Sequence, residues 1–421
     1  MKTKYDLIVA GAGYAGFAAA VRAARNGMDV LLFDRDGCAG GTGSASMIVP
    51  YMNYWTIDPA TQEKIYLNKG LFFELRQHLI EQGQLMANDR NFHDEYVKLI
   101  MDRMLIEAGV TVLYHSYLIG ADTADGTVRS VTVANKTGNL TFEADWFLDA
   151  TGDADLTVMC GFPTRLGRES DHLCQPMTTC FRMANVDTAL FKEEKPQIQE
   201  LYQAWQAEGR IKNPRENVLT FFMPVKGIVH FNTTRVVGKN PVDAFDLTAA
   251  EMEAREQIFE MIAFLKANFA SFKDASLISI GSRIGVRESR MISGEYVLTE
   301  DDVKACRKFD DTIAVANYSI DIHSPDGSGT LIYKLPQGEY YTIPYRCLIP
   351  KGVKNMLVAG RCISADHVAQ ASVRIMPICC TMGEAAGTAL TLARQSGAKD
   401  VREVDVPKLQ KQLEAQGLKI H

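Results

Sequence analysis

The sequence has no excess of positive charge: its 421 residues carry 45 Lys and Arg against 51 Asp and Glu, a net charge of −6 at pH 7. A dedicated nucleic-acid binder carries a basic field, so this balance speaks against one. No stretch approaches the roughly 20 apolar residues of a membrane-spanning helix, which argues against a transmembrane span. There is no CxxC, and the cysteine count of nine is odd. Neither a disulfide framework nor a zinc or iron–sulfur site is indicated. The histidines form no HExxH or HxH cluster, so no dedicated metal site is expected. Internal repeats and low-complexity tracts are also missing. What remains is ordinary globular composition, 47% hydrophobic and 23% charged, long enough for two domains or for one with a large insertion.

The N-terminal segment MKTKYDLIVAGAG has a basic start, but Asp6 interrupts its apolar run, which leads into glycines and not into a cleavage site. It reads as the first strand of a cytoplasmic protein. Residues 5–10 are short, apolar and β-prone, and residues 15–26 (AGFAAAVRAARN) form an alanine-rich helix closed by Gly27. Residues 29–34 (DVLLFD) give a second strand, completing a βαβ unit. Between the first strand and the helix lies GAGYAG, with Gly11, Gly13 and Gly16. The first glycine permits a tight turn, the second lets backbone approach a pyrophosphate, and the third lets helix and sheet pack closely. The helix N-terminus offers unpaired N–H groups and about half a positive charge to a diphosphate. Asp34, 18 residues past Gly16, can accept hydrogen bonds from both ribose hydroxyls and repels a 2′-phosphate. The motif alone does not separate NAD from FAD.

Further along, residues 70–82 and 92–108 read as helices, the second with Leu99, Ile100, Met104 and Leu105 inward. Four or five short strands follow over 110–150 as an antiparallel meander. A mixed region follows, with strand-like stretches at 178–185 and 218–236. A capping box at Thr248 and Glu251 opens a long helix, and Thr299 and Asp302 open a shorter one. Residues 355–359 are strand-like, 373–394 a small-residue helix, and the tail beyond 404 a peripheral helix.

Three further features accompany the glycine motif: GGTGS at 40–44, ATGD at 150–153, and LVAGR at 357–361 before a helix rich in Gly and Ala. With these the chain resembles FAD-dependent oxidoreductases of the glutathione-reductase structural type. More narrowly, it resembles a bacterial FAD-dependent oxidoreductase family distantly related to the fumarate reductase and succinate dehydrogenase flavoproteins. The resemblance covers most of the chain. It is carried by DATGDADL (149–156), RIGVRESRMISGEYVLTEDD (283–302), SIDIH (319–323), IPYRCLIP (343–350) and NMLVAGRCISADHVAQASVRIMP (355–377). It implies that Gly11, Ala12, Gly13, Ala15, Gly16, Asp34 and Arg35 hold the ADP half of FAD. It also implies that Gly41, Thr42, Gly43 and Ser44 run past the pyrophosphate toward the isoalloxazine, and that Ala150, Thr151 and Gly152 belong to the cofactor site. Gly360 and Arg361 would sit near the ribityl chain and pyrophosphate. The helix starting at Ile375 and Pro377 would point its N-terminus at the flavin pyrimidine edge, where a positive dipole stabilises developing charge. No second nucleotide fingerprint follows, so the electron donor or acceptor (NAD(P)H, quinone, oxygen or protein) stays open.

Flavin chemistry needs a substrate carbon near N5 and usually a proton donor or acceptor beside it. Read as a strand, 283–290 places Arg283 and Arg287 on one face, either to bind a carboxylate or to pair with nearby acids. Asp321 and His323, two apart, form either a carboxylate-oriented base or a turn with a buried histidine. Tyr341, Tyr345 and Arg346 either line a pocket or pack a strand. His367, just before the flavin-facing helix, either approaches the substrate or makes a hydrogen bond at a helix start. Tyr51, Tyr54 and Trp55 either roof the flavin or fill the core. Cys379 and Cys380 are either a redox pair or packing residues.

The expected fold is α/β: a Rossmann-like FAD-binding domain with parallel sheet, β-meander and helices over 1–160 and 345–421, and a mixed α+β substrate domain over 161–344. Residues 51–91 would form a helical insertion or lid. The expected function is hydride transfer between flavin N5 and a carbon of a small polar molecule, foremost oxidation of a C–OH or C–N bond. Reduction of an activated C=C bond is the alternative, and an electron-transfer flavoprotein serving a protein partner is an alternative of another class. Oligomeric state is left open.

Overall fold

The computed structural model describes residues 2–421. Its organising layer is a sheet in which Thr111–Leu113, Val30–Phe33, Lys4–Ala10 and Gly138–Asp149 lie side by side, with Thr127–Asn135 and Tyr117–Ala124 beyond. Lys4–Ala10 and Val30–Phe33 are buried almost throughout, because a central parallel strand is covered on both faces and must be apolar on both. The strand Gly138–Asp149 serves two arrangements. Its first half pairs antiparallel with Thr127–Asn135, making the meander. Its second half pairs parallel with Lys4–Ala10 on one side and with Met356–Val358 on the other. The register sets Ala10 beside both Phe33 and Asp149, and Asp149 beside Val358. The carboxyl ends of four strands therefore share one edge, the edge at which open α/β sheets bind ligands.

Helices Tyr14–Arg25 and Met376–Ser396 pack against each other over this layer. Small residues allow it: a Cβ on Gly383 would lie 2.0 Å from the Ala15 carbonyl oxygen, and one on Gly387 2.5 Å from that of Ala19. Buried Glu384 is held by Arg22 and accepts the Leu71 N–H at 2.8 Å, which ties the helix Leu71–Glu81 to this pair.

A second layer is the antiparallel sheet Thr220–Phe222, Val229–Phe231, Phe181–Ala184, Ser276–Ile280. Its own core of Phe181, Phe231, Tyr202, Phe264 and Phe272 packs under helices Ile198–Ala207 and Ala244–Asn268. Leu298, Ile313 and Tyr341 pack in the first core and not in this one. Part of the stretch 161–344 is therefore built onto the dinucleotide layer.

Several local expectations shift. The long helix starts at Ala244 and not at the Thr248 box, because the Asp243 side chain accepts from the Phe245 and Asp246 N–H groups first. Thr248 instead donates its hydroxyl to the Ala244 carbonyl at 2.8 Å. Leu99 is 64% exposed. The inward face of Asp94–Ala108 is Val97, Ile100, Met101, Met104 and Leu105. The stretch 110–150 gives one strand of the parallel layer, Thr111–Leu113, and a three-stranded meander. The helix expected over 373–394 runs over Met376–Ser396, with Pro377 in its first turn, where the missing N–H costs nothing, and a separate short helix, His367–Val373, precedes it. No single helix among the described residues is long and apolar enough to cross a membrane.

Candidate active site

Two cavities adjoin at the carboxyl edge of the sheet and share Thr42, Arg361, Arg374 and Met376 in their walls. The first has a volume near 150 Å³ and is walled by Gly11, Gly13, Ala15, Asp34, Arg35, Gly41, Ala150, Thr151, Gly152 and Gly360.

Its floor is backbone, held from within. Gly11 has φ +97°, and a Cβ there would come 2.5 Å from the Ala150 carbonyl oxygen. At Gly16 a Cβ would come 1.8 Å from the Gly11 carbonyl oxygen. Gly13 is different. It caps the helix at φ −63°, and a Cβ there would touch only Gly41 Cα, at 3.9 Å. Protein packing therefore demands glycine at 11 and 16, and leaves position 13 free to be dictated by whatever fills the cavity. Asp34 is buried, and its two oxygens accept from the Ala12 N–H at 2.5 Å and the Asp36 N–H at 2.8 Å. Each oxygen retains a lone pair for a ribose hydroxyl. Arg361 donates to Asp153 at 2.6 Å. Burial raises the Asp153 carboxyl, but Arg361 and Arg35 outweigh burial and hold it below the usual range. Cationic side chains, the N-terminus of Tyr14–Arg25 and a side-chain-free cradle are what an adenosine diphosphate needs.

Some expected cofactor residues stand behind this wall. Ala12 contributes its N–H to Asp34 and its carbonyl to the Gly40 N–H. Gly43 makes room for Tyr14 and the Met376 sulfur, each 2.7 Å from where its Cβ would be. Ser44 is buried with no hydrogen-bond partner for its hydroxyl. Pro377 lines neither cavity, whereas Ile375 and Met376 do.

The second cavity has a volume near 280 Å³. It brings together three of the expected catalytic residues, Arg287, Asp321 and His323, with Arg215, Tyr318 and Arg374, which sequence reasoning missed. Ile48, Pro50, Met52 and Leu219 form its apolar wall. Asp321 is the only carboxylate in that wall. It accepts from the Tyr318 hydroxyl at 2.9 Å and faces His323 Nε2 at 3.6 Å and Arg374 at 4.0 Å. Burial pushes its carboxyl up, but His323 and then Arg374 prevail and hold it well below the ordinary carboxylate range. Burial, and then Arg287, push the His323 imidazole down to about 3. Its Nδ1 accepts from Arg235 at 2.8 Å. With Nδ1 engaged, Nε2, which faces Asp321 at 3.6 Å, is the ring nitrogen left for the expected role of base. Burial, followed by the neighbouring charges of Arg215 and Arg374, pulls Arg287 down to about 9.

The remaining candidates lie elsewhere. Residues 283–289 do not form a strand; only an isolated bridge joins Gly285 to Thr178, and the strand begins at Arg290. Arg283 and Arg287 therefore part company: Arg283 lines the first cavity, bound to Asp36 at 3.0 Å. Tyr341 is buried against Ser372 at 2.6 Å, and Tyr345 donates to the Val401 carbonyl at 2.9 Å. Arg346 pairs with Asp311 at 2.9 Å on a separate surface cleft. His367 begins its helix and bonds buried Glu288 at 2.8 Å. Tyr51 and Tyr54 are core aromatics, Tyr51 stacking on Phe92 with centroids 4.0 Å apart.

Cys379 touches the first cavity, but burial pushes its thiol up to about 12, and burial likewise holds the Cys380 thiol well above its ordinary range. Thiol chemistry needs a thiolate. Replacing both cysteines with serine is expected to leave turnover within about twofold of wild type, the changes at these buried positions registering chiefly as lost stability.

The strand edge served by four strands, the glycine cradle and the buried acid Asp34 define a Rossmann-like dinucleotide-binding fold. The chain belongs to the FAD dependent oxidoreductase family, whose sequence profile matches residues 6–413. Its cofactor is therefore FAD, and the residues present fit its ADP half. No curated protein sequence matches the chain. Among solved structures it is similar to a geranylgeranyl bacteriochlorophyll reductase-like protein from Thermoplasma acidophilum, at 13% identity over 99% of this chain and 84% of that one, with a TM-score of 0.48. It is also similar to p-nitrophenol 4-monooxygenase from Pseudomonas putida, at 10% identity over 94% and 82%, with a TM-score of 0.47.

Proposed function

We propose that the protein moves a hydride between flavin N5 and a carbon of a small organic anion bound in the second cavity. The guanidiniums carry this reading: Arg215, Arg287, Arg361 and Arg374 face a cavity whose wall holds one carboxylate, and arginine stays charged in proteins. When bound, FAD would supply the hydride acceptor, its ADP half held by the residues of the first cavity. The substrate is a small molecule, and the preferred reaction is oxidation of a C–OH or C–N bond in a hydroxy or amino acid. Asp321, not His323, takes the proton. Its low basicity suffices, because a hydroxyl whose carbon is losing hydride becomes strongly acidic. His323, Arg374 and Tyr318 all face Oδ2 of Asp321 and orient it, which leaves Oδ1 to take the proton. The guanidinium cluster favours a second reading, reduction of a C=C bond conjugated to a carboxylate, since cations there stabilise charge moving onto the carboxylate.

Anaerobic mixing with hydroxy acids, amino acids, sugars and polyols, and of the reduced protein with enoates, separates the two. Bleaching by hydroxy or amino acids supports oxidation, and reoxidation by enoates alone supports reduction. The pH profile is a further test. Asp321 is held below its usual range and His323 is lowered to about 3, so both keep one state at neutral pH. The bleaching rate is expected to stay flat on the acid side down to about pH 4, where an ordinary Asp protonates. The stability that Asp321 contributes through its lowered pKa is likewise present above that range and lost only below it. A rate that falls through pH 6–7 would assign the proton to another group.

A further inference from the structure

We infer that the substrate of this cavity carries two negative charges, one met by Arg215 and one by Arg287. The inference rests on the reading above that an organic anion occupies the second cavity, and it concerns how many charges that anion bears.

Five arginines stand in or directly behind the wall, and three have partners. Arg235 is paired with Glu216 at 2.8 Å, Arg361 with Asp153 at 2.6 Å, and Arg374 lies 4.0 Å from Asp321. Among the described residues no carboxylate lies within 4.0 Å of Arg215 or Arg287. Arg215 is 2% exposed. Its Nε donates to Asn217 at 3.1 Å, and its Nη1 is buried without a partner. Arg287 gives Nη1 to the Pro176 carbonyl at 2.6 Å, and its other N–H groups have no protein acceptor among the described residues. Asp321, the one acid in the wall, is already shared by Tyr318, His323 and Arg374.

A cation drawn out of water without an ion-pair partner is costly, and buried Arg215 and half-buried Arg287 are both in that position. Two unpaired guanidiniums call for two charges. Each fork fits a carboxylate bidentately, and phosphate satisfies the same geometry. The walls also assign ends to the cavity. Arg374 and Arg361 border the first cavity, so they lie at its cofactor end. Arg215, Asn217 and Asn232 line only the second. Arg215, like Arg287, lines only the second cavity and stands outside the wall shared with the first, and it acts as a specificity residue. The two charges arise either from two carboxylates or from one phosphate.

The test titrates the FAD-loaded protein at pH 8 and low salt with succinate, glutarate and adipate, with chain-matched monocarboxylates, and with inorganic phosphate. The flavin difference spectrum and the melting temperature are read together. The best dianion is expected to bind at least about tenfold more tightly than any monocarboxylate. A diacid as the best ligand assigns separated charges, and phosphate assigns a single doubly charged group. Arg215→Gln is expected to erase the tenfold preference for the dianion over its chain-matched monocarboxylate, while Arg215→Lys keeps part of it. Equal binding of mono- and dianions by the wild-type protein overturns the inference without any variant, as does an undiminished advantage in Arg215→Gln. If no anion of either valency perturbs the flavin, the anionic-substrate reading itself fails.

Discussion

Asp321→Asn is expected to slow flavin reduction by substrate by about 10²–10⁴-fold, the usual worth of a positioned acid–base group, with FAD content unchanged. The substitution is nearly isosteric and keeps an acceptor for the Tyr318 hydroxyl, which now bonds Asp321 at 2.9 Å. It removes the only carboxylate in the cavity wall and leaves Arg374 without its acid. His323→Ala is expected to cost less, about tenfold, because its Nδ1 is bonded to Arg235 and its part is to hold Asp321 in place. Stopped-flow bleaching under anaerobic conditions measures both. If Asp321→Asn reduces at the wild-type rate while His323→Ala is inert, the roles assigned to the two are reversed.

Gly13→Ala is expected to weaken FAD binding by about 5- to 150-fold, the cost of about 1–3 kcal/mol for one methyl forced into an occupied space, without loss of fold. The argument is a subtraction. At Gly11 and Gly16 an added methyl collides with backbone, so Ala there damages the chain whether or not a cofactor binds. At Gly13 the backbone angle is ordinary and the nearest atom to a new Cβ is 3.9 Å away. The methyl meets only what fills the first cavity. Fluorescence titration of apo-protein with FAD measures the loss, and circular dichroism of the apo-protein checks the fold. Affinity equal to wild type would mean that the diphosphate does not pass over this glycine.

How far the sequence spoke depended on how local each feature is. The cofactor half was legible because GAGYAG, Asp34 and the two strands around them are contiguous, and each residue does its work on near neighbours. ATGD and LVAGR were legible for the same reason: each ends a strand of one sheet. The substrate cavity was legible only in part. Asp321 and His323 share a strand and a spacing of two, so their meeting could be read. Arg215 and Arg374 come from distant segments and meet only through tertiary packing. Arg374 stood in a quoted stretch, VRIMP, with no periodic signal to mark it as lining a cavity. The pairing of Arg283 with Arg287 failed because the segment bridges Thr178 at Gly285 alone and does not alternate as a strand. Tyr345 and Arg346 illustrate the converse: aromatic and cationic residues side by side, one serving the core and the other a surface ion pair.

The central claim is that FAD lies in the glycine-floored cavity, and its most direct measurement is the flavin released from purified protein by acid denaturation. Wild-type protein, as isolated or after incubation with FAD and removal of the excess, is expected to yield one FAD per chain. Gly13→Ala, carried through the same steps, should yield a small fraction of that. Folded wild-type protein that stays colourless and retains no added FAD would contradict the account.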